Sequence, residues 1–339
     1  MPDMVMQDAI HSAAELLRAG GTVAFPTETV YGLGADAANP LALRRVFKAK
    51  GRPADHPLIV HIADAANLPG WAQDIPDAAW RLAAAFWPGP LTLILRRRDH
   101  VLNEVTGGQD TVGLRVPDHP VAAALLRAFG GGIAAPSANR FGRVSPTTAQ
   151  HVRDELGAQV GMVLDGGPCR VGVESTIVSL AHGKALLLRP GGVSVEALEG
   201  TLNQQILLAP PAVRKVRVPG MLASHYAPAT PLEIHQADVL WRRARQLDSQ
   251  GCQVAVLRLT DHGECADSQR IVSFPMPVLA AEYARMLYAT LRQLDHAGFD
   301  CLLAETPPAT QAWLAVNDRM RRAAQGLVST NKIPAGEHR

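Results

Sequence analysis

The stretch from Gly20 to Ile62 constrains the fold of this chain more than any other. It opens with a short β-branched and aromatic run, residues 22–25, which predicts a buried strand because such side chains fit a pleated surface covered on both sides. Hydroxyl groups, a carboxylate and two glycines follow in residues 26–34, where we expect the strand to give way to a loop. A helix beginning at Pro40 and a second strand complete the unit. The polar loop after a strand is the usual place for ligand chemistry in an open α/β sheet.

Strand and helix patterns continue to alternate, irregularly, to about residue 200. We therefore predict an α/β fold with a mixed parallel and antiparallel sheet rather than a purely parallel one. Residues 209–231 are rich in proline and basic side chains, which predicts a semi-rigid linker with few internal contacts. A second alternation begins at Leu232 and predicts a smaller α/β domain. The predicted boundaries are 7–200 for the first domain, 201–230 for the linker and 231–335 for the second domain.

The composition excludes several classes of protein. With 339 residues, 47% of them hydrophobic, the chain can bury a substantial core, and its net charge of +2 demands no polyanionic partner. The four cysteines form no CxxC pair, which argues against a zinc site and a disulfide framework and is typical of a reducing cytosol. The N-terminus lacks the cationic start of a signal peptide, and no apolar run reaches the ~20 residues that span a bilayer. We expect a cytoplasmic protein without a side-chain metal cluster.

Cations and hydroxyl groups recur near the ends of predicted strands and helices. Lys50 and Arg52 follow the helix that begins at Pro40, where the helix dipole alone would also favour cations. Arg115 lies in an otherwise apolar predicted strand, and an arginine is costly to bury there unless it meets an anion. The other members of the set are Ser137, Asn139, Ser145 and Arg189. Together they predict a site for a ligand that carries a carboxylate and several phosphates.

Three features of the sequence have a second interpretation. Residues 32–37 match the dinucleotide pattern GxGxxA of some oxidoreductases, although a tight loop explains the glycines better because the helix begins only later, at Pro40. His61 lies between apolar residues and is either a core histidine or a ligand contact. A basic cleft also suits an RNA-binding module, but exposed aromatics between the cations are missing and aromatics make up only 5% of the chain.

Six short motifs follow one another in the sequence: PTETVYGLG at 26–34, KGRP at 50–53, PLIVH at 57–61, TVGLRVP at 111–117, PSAN at 136–139 and ESTI at 174–177. As an ordered set they resemble the YrdC-like threonylcarbamoyl-AMP synthases, over about residues 7–200. The sequence HYAP at 225–228 and the second α/β region resemble the long, two-domain form of this family. The resemblance implies a twisted, mixed YrdC-like sheet with flanking helices, plus a smaller Rossmann-like C-terminal α/β domain.

The resemblance also implies a reaction. L-threonine, bicarbonate or carbon dioxide, and ATP would be joined to threonylcarbamoyl-AMP with release of pyrophosphate, which makes the protein a nucleotidyltransferase. Mg²⁺ would accompany ATP, and the product would pass to a tRNA threonylcarbamoyl transferase for modification of tRNA, with a weak direct contact to tRNA and none to a membrane. A related alternative is carbamoyl-adenylate transfer to another acceptor.

Roles for individual residues follow from motif position. The resemblance implies catalytic roles for Lys50 and Arg52. It implies threonine contacts for Thr29, His61, Arg115 and Ser175. It implies ATP contacts for Arg52, His56, Thr111, Ser137, Asn139, Ser145, Arg189 and Tyr226. Tyr226 belongs to the predicted linker, which would fold over the nucleotide as a lid.

Overall fold

The computed structural model describes residues 4–181, 183–208, 217–220, 225–260 and 268–325. The first region contains strands β1 (Val23–Phe25), β2 (Gly32–Asp36), β3 (Ile59–His61), β4 (Leu91–Arg96), β5 (Thr111–Arg115), β6 (Ile133–Ala134), β7 (Met162–Val163), β8 (Thr176–Ser179), β9 (Leu186–Arg189) and β10 (Leu207–Leu208). Its helices are α1 (Met4–Arg18), α2 (Pro40–Lys50), α3 (Asp77–Phe86), α4 (Asn103–Thr106), α5 (Pro120–Phe129), α6 (Ala149–Leu156) and α7 (Val195–Leu202). The second region contains β11 (Leu232–His235), α8 (Ala237–Ser249), β12 (Val254–Arg258), β13 (Ile271–Pro275), α9 (Ala280–Asp295), β14 (Cys301–Glu305) and α10 (Leu314–Ala324).

The first region forms one mixed sheet in the order β10-β9-β8-β4-β5-β3-β6-β2-β1-β7. β3 runs parallel to β5, whereas β4 runs antiparallel to β5 and β1 antiparallel to β2. The second region forms a parallel sheet in the order β11-β14-β12-β13. The predictions of a mixed sheet with flanking helices and of a smaller C-terminal α/β domain are confirmed.

Helices cover both faces of the first sheet. Val23 and Phe25 of β1 pack with α1 and α5, whereas Ala24 between them packs with α2 and α6. Alternate residues of a strand point to opposite faces, so the two core clusters lie on opposite sides of the sheet. This arrangement explains why the strands have nearly continuous apolar sequences.

Helix α2 carries the two predicted cations of the KGRP motif to one end of the sheet. Asn39 caps its N-terminus by accepting hydrogen bonds from the amides of Leu41 (3.0 Å) and Ala42 (3.2 Å). The helix ends at Gly51, whose φ of 60° is left-handed and suits glycine. The chain reverses there, and Lys50 and Arg52 on either side of the glycine are both buried.

Gly32 and Gly34 lie in strand β2, so the expectation of a glycine-rich loop at this point is wrong. Neither has a positive φ. A Cβ atom on Gly34 would lie 2.7 Å from side-chain atoms of both Ile133 and Phe25, and one on Gly32 would lie 3.2 Å from Ala135 Cβ. Close packing of neighbouring side chains, and not dinucleotide binding, therefore explains the GxGxxA match.

The predicted linker makes more contacts than expected. Residues 209–216 and 221–224 lie outside the described part of the chain. In the remainder, Val218, His225 and Tyr226 are buried, and the amide of Ala227 donates to the carbonyl of Gly142 (2.9 Å). For these residues the prediction of few internal contacts is wrong, because they are enclosed by the first sheet and the second domain.

An apolar core joins the two domains. Val30, Val144 and Val173 of the first region pack in one cluster with Leu287 of α9 and Met320 of α10. The second domain is thus docked beside the loop that follows β1. Of the helices that the structure describes, none has the length and apolar character needed to cross a membrane.

Candidate functional site

A cavity lies where several strands of the first sheet end. His61 and Arg115, the last residues of the parallel strands β3 and β5, lie side by side in it. The cavity brings together Thr29, Arg52, His61, Arg115, Ser137, Ser175, Arg189 and Tyr226 from the predicted set. Its free volume is about 50 Å³, room for roughly one or two water molecules.

Arg115 has a buried carboxylate partner that the sequence analysis did not include. Its Nη2 lies 2.7 Å from Oε1 of Glu28, and its Nε donates to the carbonyl of Gly89 (3.3 Å). The other oxygen of Glu28 accepts from the amide of Asp118 (3.0 Å). The pair fixes the guanidinium at the wall of the cavity, where it can meet an anion without being an isolated buried charge.

His61 is buried, and its Nδ1 has no hydrogen-bond partner. Burial and the neighbouring Arg115 lower its pKa to about 3, so that the ring is neutral at physiological pH. Its ring packs edge-on against Phe25 at a centroid distance of 5.9 Å. His61 is therefore both a packed core residue and a cavity residue with a polar atom to offer.

Arg189 is buried, lines the cavity and connects two other segments of its lining. Its Nη2 donates to the carbonyl (2.9 Å) and the hydroxyl (3.1 Å) of Ser175, and its Nη1 donates to the carbonyl of Pro219 (2.9 Å). Burial lowers its pKa from the ordinary value. Arg189 thus joins the start of β8 to the linker.

Arg52 faces the cavity with an incompletely paired guanidinium. Its Nη2 donates to the carbonyl of Pro57 (2.9 Å), but its buried Nε has no partner. The guanidinium carbon lies 5.9 Å from the ring centroid of Phe141. Burial lowers its pKa to about 10, which leaves the group cationic at neutral pH.

Lys50 does not line the cavity. Its ammonium group donates to the carbonyls of Ser137 and Asn139 and holds the PSAN loop from behind. Burial, together with the neighbouring Arg52, holds its pKa well below the ordinary value. The geometry gives Lys50 a positioning role, and its direct part in catalysis stays a prediction.

Four other predicted ATP contacts lie outside the cavity lining: His56, Thr111, Asn139 and Ser145. The Asn139 amide donates to the carbonyls of Arg140 (2.7 Å) and Arg143 (2.9 Å), while its Oδ1 has no partner. Half-buried His56 packs edge-on against Phe141 at 5.3 Å. Thr111 is buried at the start of β5.

Glu174 connects Ser145 to the second domain. Its Oε1 accepts from Ser145 Oγ (2.6 Å), and its Oε2 accepts from Tyr288 Oη (2.9 Å) and Arg319 Nε (2.7 Å). Burial would raise its pKa, but Arg319 and Arg189 outweigh burial and hold the pKa below the ordinary value. The cavity therefore contains a stable carboxylate whose acceptor sites are occupied by the protein.

Several buried atoms at the cavity lack a hydrogen-bond partner: Arg52 Nε, His61 Nδ1, His225 Nδ1 and Tyr226 Oη. A buried polar atom without a partner costs about 1–3 kcal/mol. Their concentration in one cavity indicates a site that receives a polar ligand or water.

Comparison with known proteins matches both regions of the chain. The Sua5/YciO/YrdC family model, described as Telomere recombination, matches residues 15–191, and the model described as Threonylcarbamoyl-AMP synthase, C-terminal domain, matches residues 193–325. Over 325 residues the chain is 41% identical to the threonylcarbamoyl-AMP synthase of Bacillus subtilis, with 94% of each protein covered. The chain belongs to the threonylcarbamoyl-AMP synthase family.

Structural comparison gives the same family. The crystal structure of Pyrococcus abyssi Sua5 complexed with L-threonine matches with a TM-score of 0.86 and 40% identity, covering 94% of this chain and 95% of that one. A shorter threonylcarbamoyl-AMP synthase, from Alkalilimnicola ehrlichii, is 39% identical over 180 residues, which is 52% of this chain and 94% of the relative. The synthase family therefore includes chains that match only about half of this protein.

Sequence reasoning about this synthase family member missed several residues that line the cavity or contact its lining. His225, which lines the cavity, and Glu28, which pairs with Arg115, lie inside the quoted HYAP and PTETVYGLG motifs, so the motifs themselves carried the signal. Glu174 precedes Ser175, a predicted threonine contact, but in sequence it is indistinguishable from an ordinary polar residue at the start of a strand. Tyr288 and Arg319 had no signal, because each lies in a helix whose periodicity predicts only packing.

Proposed function

We propose that this protein forms threonylcarbamoyl-AMP by nucleotidyl transfer. Threonine and bicarbonate or carbon dioxide would first give the carbamate of the threonine amino group. A carbamate oxygen would then attack the α-phosphorus of ATP, the bond from that phosphorus to the bridging β-phosphate oxygen would break, and pyrophosphate would leave. The observation that carries this proposal is the gathering of Arg52, Arg115 and Arg189 around one cavity.

Arg115 is the proposed anchor for the threonine carboxylate. A guanidinium can bind a carboxylate through two parallel hydrogen bonds, which fixes its orientation as well as its position. Neutral His61 and the hydroxyl groups of Thr29 and Ser175 line the same cavity and would bind the remaining polar atoms of the amino acid. Membership of a family in which one protein was crystallised with L-threonine supports this assignment.

Arg52 and Arg189 are the proposed partners of the triphosphate. Nucleophile and electrophile are both anionic, so the reaction needs fixed positive charge where the transition state gathers negative charge. Ser137 lines this side of the cavity, and Lys50 holds its loop in place. The other ATP contacts predicted from motif position, His56, Thr111, Asn139, Ser145 and Tyr226, belong to the same proposal.

A triphosphate needs more room than the cavity has. Ligand pockets usually measure roughly 300–1,000 Å³, whereas the free volume here is about 50 Å³. Tyr226, which lines the cavity and is 1% exposed, is the proposed movable wall, opening for ATP and then closing to keep water from a labile product. We expect Tyr226→Ala to raise product hydrolysis relative to the matched variant Tyr226→Phe, measured as the ratio of AMP to threonylcarbamoyl-AMP.

Mg²⁺ would enter this site with ATP. In the described part of the chain no group of three His, Cys, Asp or Glu side chains could hold a metal ion, and Glu28 and Glu174 are each paired with an arginine. The residues therefore fit an ion bound chiefly by phosphate oxygens and water, which would offset phosphate charge when bound. Cytoplasmic location, transfer of the product to a tRNA threonylcarbamoyl transferase and weak tRNA contact also belong to the proposal.

The decisive experiment incubates the purified protein with ATP, Mg²⁺, bicarbonate and one amino acid at a time while pyrophosphate is measured. Threonine should give release, with serine and valine, which lack its methyl and hydroxyl groups respectively, as matched controls. Release driven by carbamoyl phosphate without threonine would favour carbamoyl-adenylate transfer to another acceptor. Salt-sensitive RNA binding without ATP consumption would favour an RNA-binding module.

A further inference from the structure

Arg319 of helix α10 reaches across the domain boundary to the cavity. Its side chain is completely buried, and its Nε donates to Oε2 of Glu174 (2.7 Å), a residue of the first domain 145 positions away in sequence. Its Nη1 donates to Asp318 (2.9 Å), which also pairs with Arg322 (2.9 Å). The guanidinium is therefore held on its own helix while it holds a cavity carboxylate of the other domain.

Glu174 in turn fixes a predicted ATP contact. It accepts from Ser145 through the oxygen that does not face Arg319 (2.6 Å). Arg319 and Tyr288 occupy the second oxygen, so the carboxylate has one available orientation. Loss of Arg319 would free the carboxylate to rotate and release the Ser145 hydroxyl.

Tyr226 is held by the same two residues of the second domain. Its ring stacks on Tyr288 with centroids 5.7 Å apart and an interplanar angle of 28°. The Arg319 guanidinium carbon lies 5.3 Å from the Tyr226 ring centroid, within the range of cation–π attraction. Tyr226 also has a φ of 63°, which a tyrosine adopts only when surrounding contacts impose it.

We propose that Arg319 is a positioning residue for the nucleotide: it fixes the Glu174 carboxylate through their ion pair and supports the closed position of the Tyr226 ring. The second domain thereby completes the nucleotide site of the first. This inference rests on the proposed function, since it assigns the same cavity to ATP. It gives the C-terminal domain a defined part in the reaction.

The test compares Arg319→Gln, Arg319→Lys and Tyr288→Phe in the full-length protein, with Arg321→Gln as the matched control. Arg321 is on the same helix and pairs with the same Asp318, but its side chain is 66% exposed and does not contact Glu174. For each variant, kcat and the KM values for ATP and threonine are measured, and thermal unfolding reports the folded fraction.

We expect Arg319→Gln to lower kcat/KM for ATP on the order of 100-fold through a higher KM, because small displacements of positioning groups have effects of that size. The KM for threonine should change less than about 3-fold, because Arg115 and its partner Glu28 keep their contacts. Arg319→Lys should recover part of the loss, since lysine keeps the charge but not the planar fork. Tyr288→Phe should cost about 10-fold, the effect of one hydrogen bond to a charged group.

Wild-type kinetics in folded Arg319→Gln, or equal losses for ATP and threonine, would overturn the inference. If Arg319→Gln does not fold, Arg319→Lys and Tyr288→Phe decide by the same criteria. Calorimetric titration with a non-hydrolysable ATP analogue measures nucleotide binding without threonine. This titration separates the two proposals. A wild-type protein that binds the analogue but releases no pyrophosphate would refute the synthase assignment. The Arg319 inference would then be decided by whether the Arg319 variants bind the analogue more weakly than the wild type.

Discussion

The two sheets of this molecule treat their buried polar groups in opposite ways. At the cavity of the first sheet, Arg52 Nε, His61 Nδ1 and Tyr226 Oη have no partner. The carboxyl ends of the second, parallel sheet are also a place where open α/β sheets bind ligands. There, however, Glu305 accepts hydrogen bonds from two backbone amides (2.6 and 3.0 Å) and from the hydroxyl of Thr260 (3.1 Å).

This difference distinguishes a ligand site from a place where the strand order would merely allow one. Among the described residues of the second domain, Arg319 is the only buried side chain with an unpartnered polar atom, and it lies at the domain interface. Strand order says where a ligand site can form, but each unpaired buried group costs about 1–3 kcal/mol. A cluster of such groups persists where function requires it, and the second sheet has no comparable cluster in its described residues.

The substitution with the largest expected effect is Arg52→Ala, which removes one of the incompletely paired groups of the first-sheet cavity. We expect kcat for pyrophosphate release to fall at least about 100-fold, because a fixed charge beside the transferring phosphoryl group is lost. The free energy of unfolding should fall by at most about 1–3 kcal/mol, because the substitution leaves the buried Pro57 carbonyl without its donor. Arg44→Ala on α2, the helix that precedes Arg52, is the control, because the Arg44 side chain is 69% exposed. Retained turnover in Arg52→Ala would remove this residue from the mechanism.

Arg115→Lys sharpens the assignment of subsites within the cavity. Lysine keeps the charge beside Glu28 but cannot form two parallel bonds to a carboxylate. We expect the KM for threonine to rise about 10-fold and the KM for ATP to stay within about 2-fold, measured by pyrophosphate release. Arg96→Lys, at an exposed ion pair on β4, controls for the substitution itself. An equal rise in both KM values would contradict a threonine carboxylate at Arg115.

Glu305→Gln tests the other side of the comparison. The amide keeps the shape of the side chain but loses the charge of the carboxylate that accepts hydrogen bonds from two backbone amides. We therefore expect the free energy of unfolding, measured with urea, to fall by about 1–3 kcal/mol. The kinetic constants per folded molecule should remain those of the wild type. A fall in kcat/KM of more than about 3-fold would mean that the second sheet contributes to the reaction through its carboxyl edge.

The smallest expected effect is on the pH dependence of stability. The folded pKa values of His61 and His225 are lowered to about 3, chiefly by burial, whereas an unfolded histidine titrates near ~6.5. As the pH falls below ~6.5, the histidines of the unfolded chain take up protons before those of the folded chain do. The contribution of the two neutral histidines to the free energy of unfolding is therefore complete above pH ~6.5 and is lost progressively toward pH ~3. The loss is up to about 1.4 kcal/mol per pH unit for each ring. Urea unfolding at pH 7 and pH 5.5 should show a smaller loss in His225→Gln than in the wild type. An unchanged slope would mean that the pKa of His225 is the same in the folded and the unfolded protein.

Much of the site was predictable because its residues lie in short motifs. The strands leading to Ser137 and Arg115 and the helix ending at Lys50 follow from local pattern and capping. The contacts of those side chains could not be predicted from local pattern. Lys50 resembles a substrate cation in sequence, yet its ammonium binds two backbone carbonyls, because the PSAN loop returns over the end of α2.

The sequence by itself determined the two α/β units, the positions of most of their helices and strands, and the family, since periodicity, caps and ordered motifs are local properties of a chain. Tertiary structure alone decided that Gly34 belongs to a packed strand, that Glu28 neutralises Arg115, and that Arg319 reaches Glu174 from the other domain. Contacts between residues far apart in sequence depend on how the sheets and helices pack. A buried ion pair forms only after that packing has removed both partners from water.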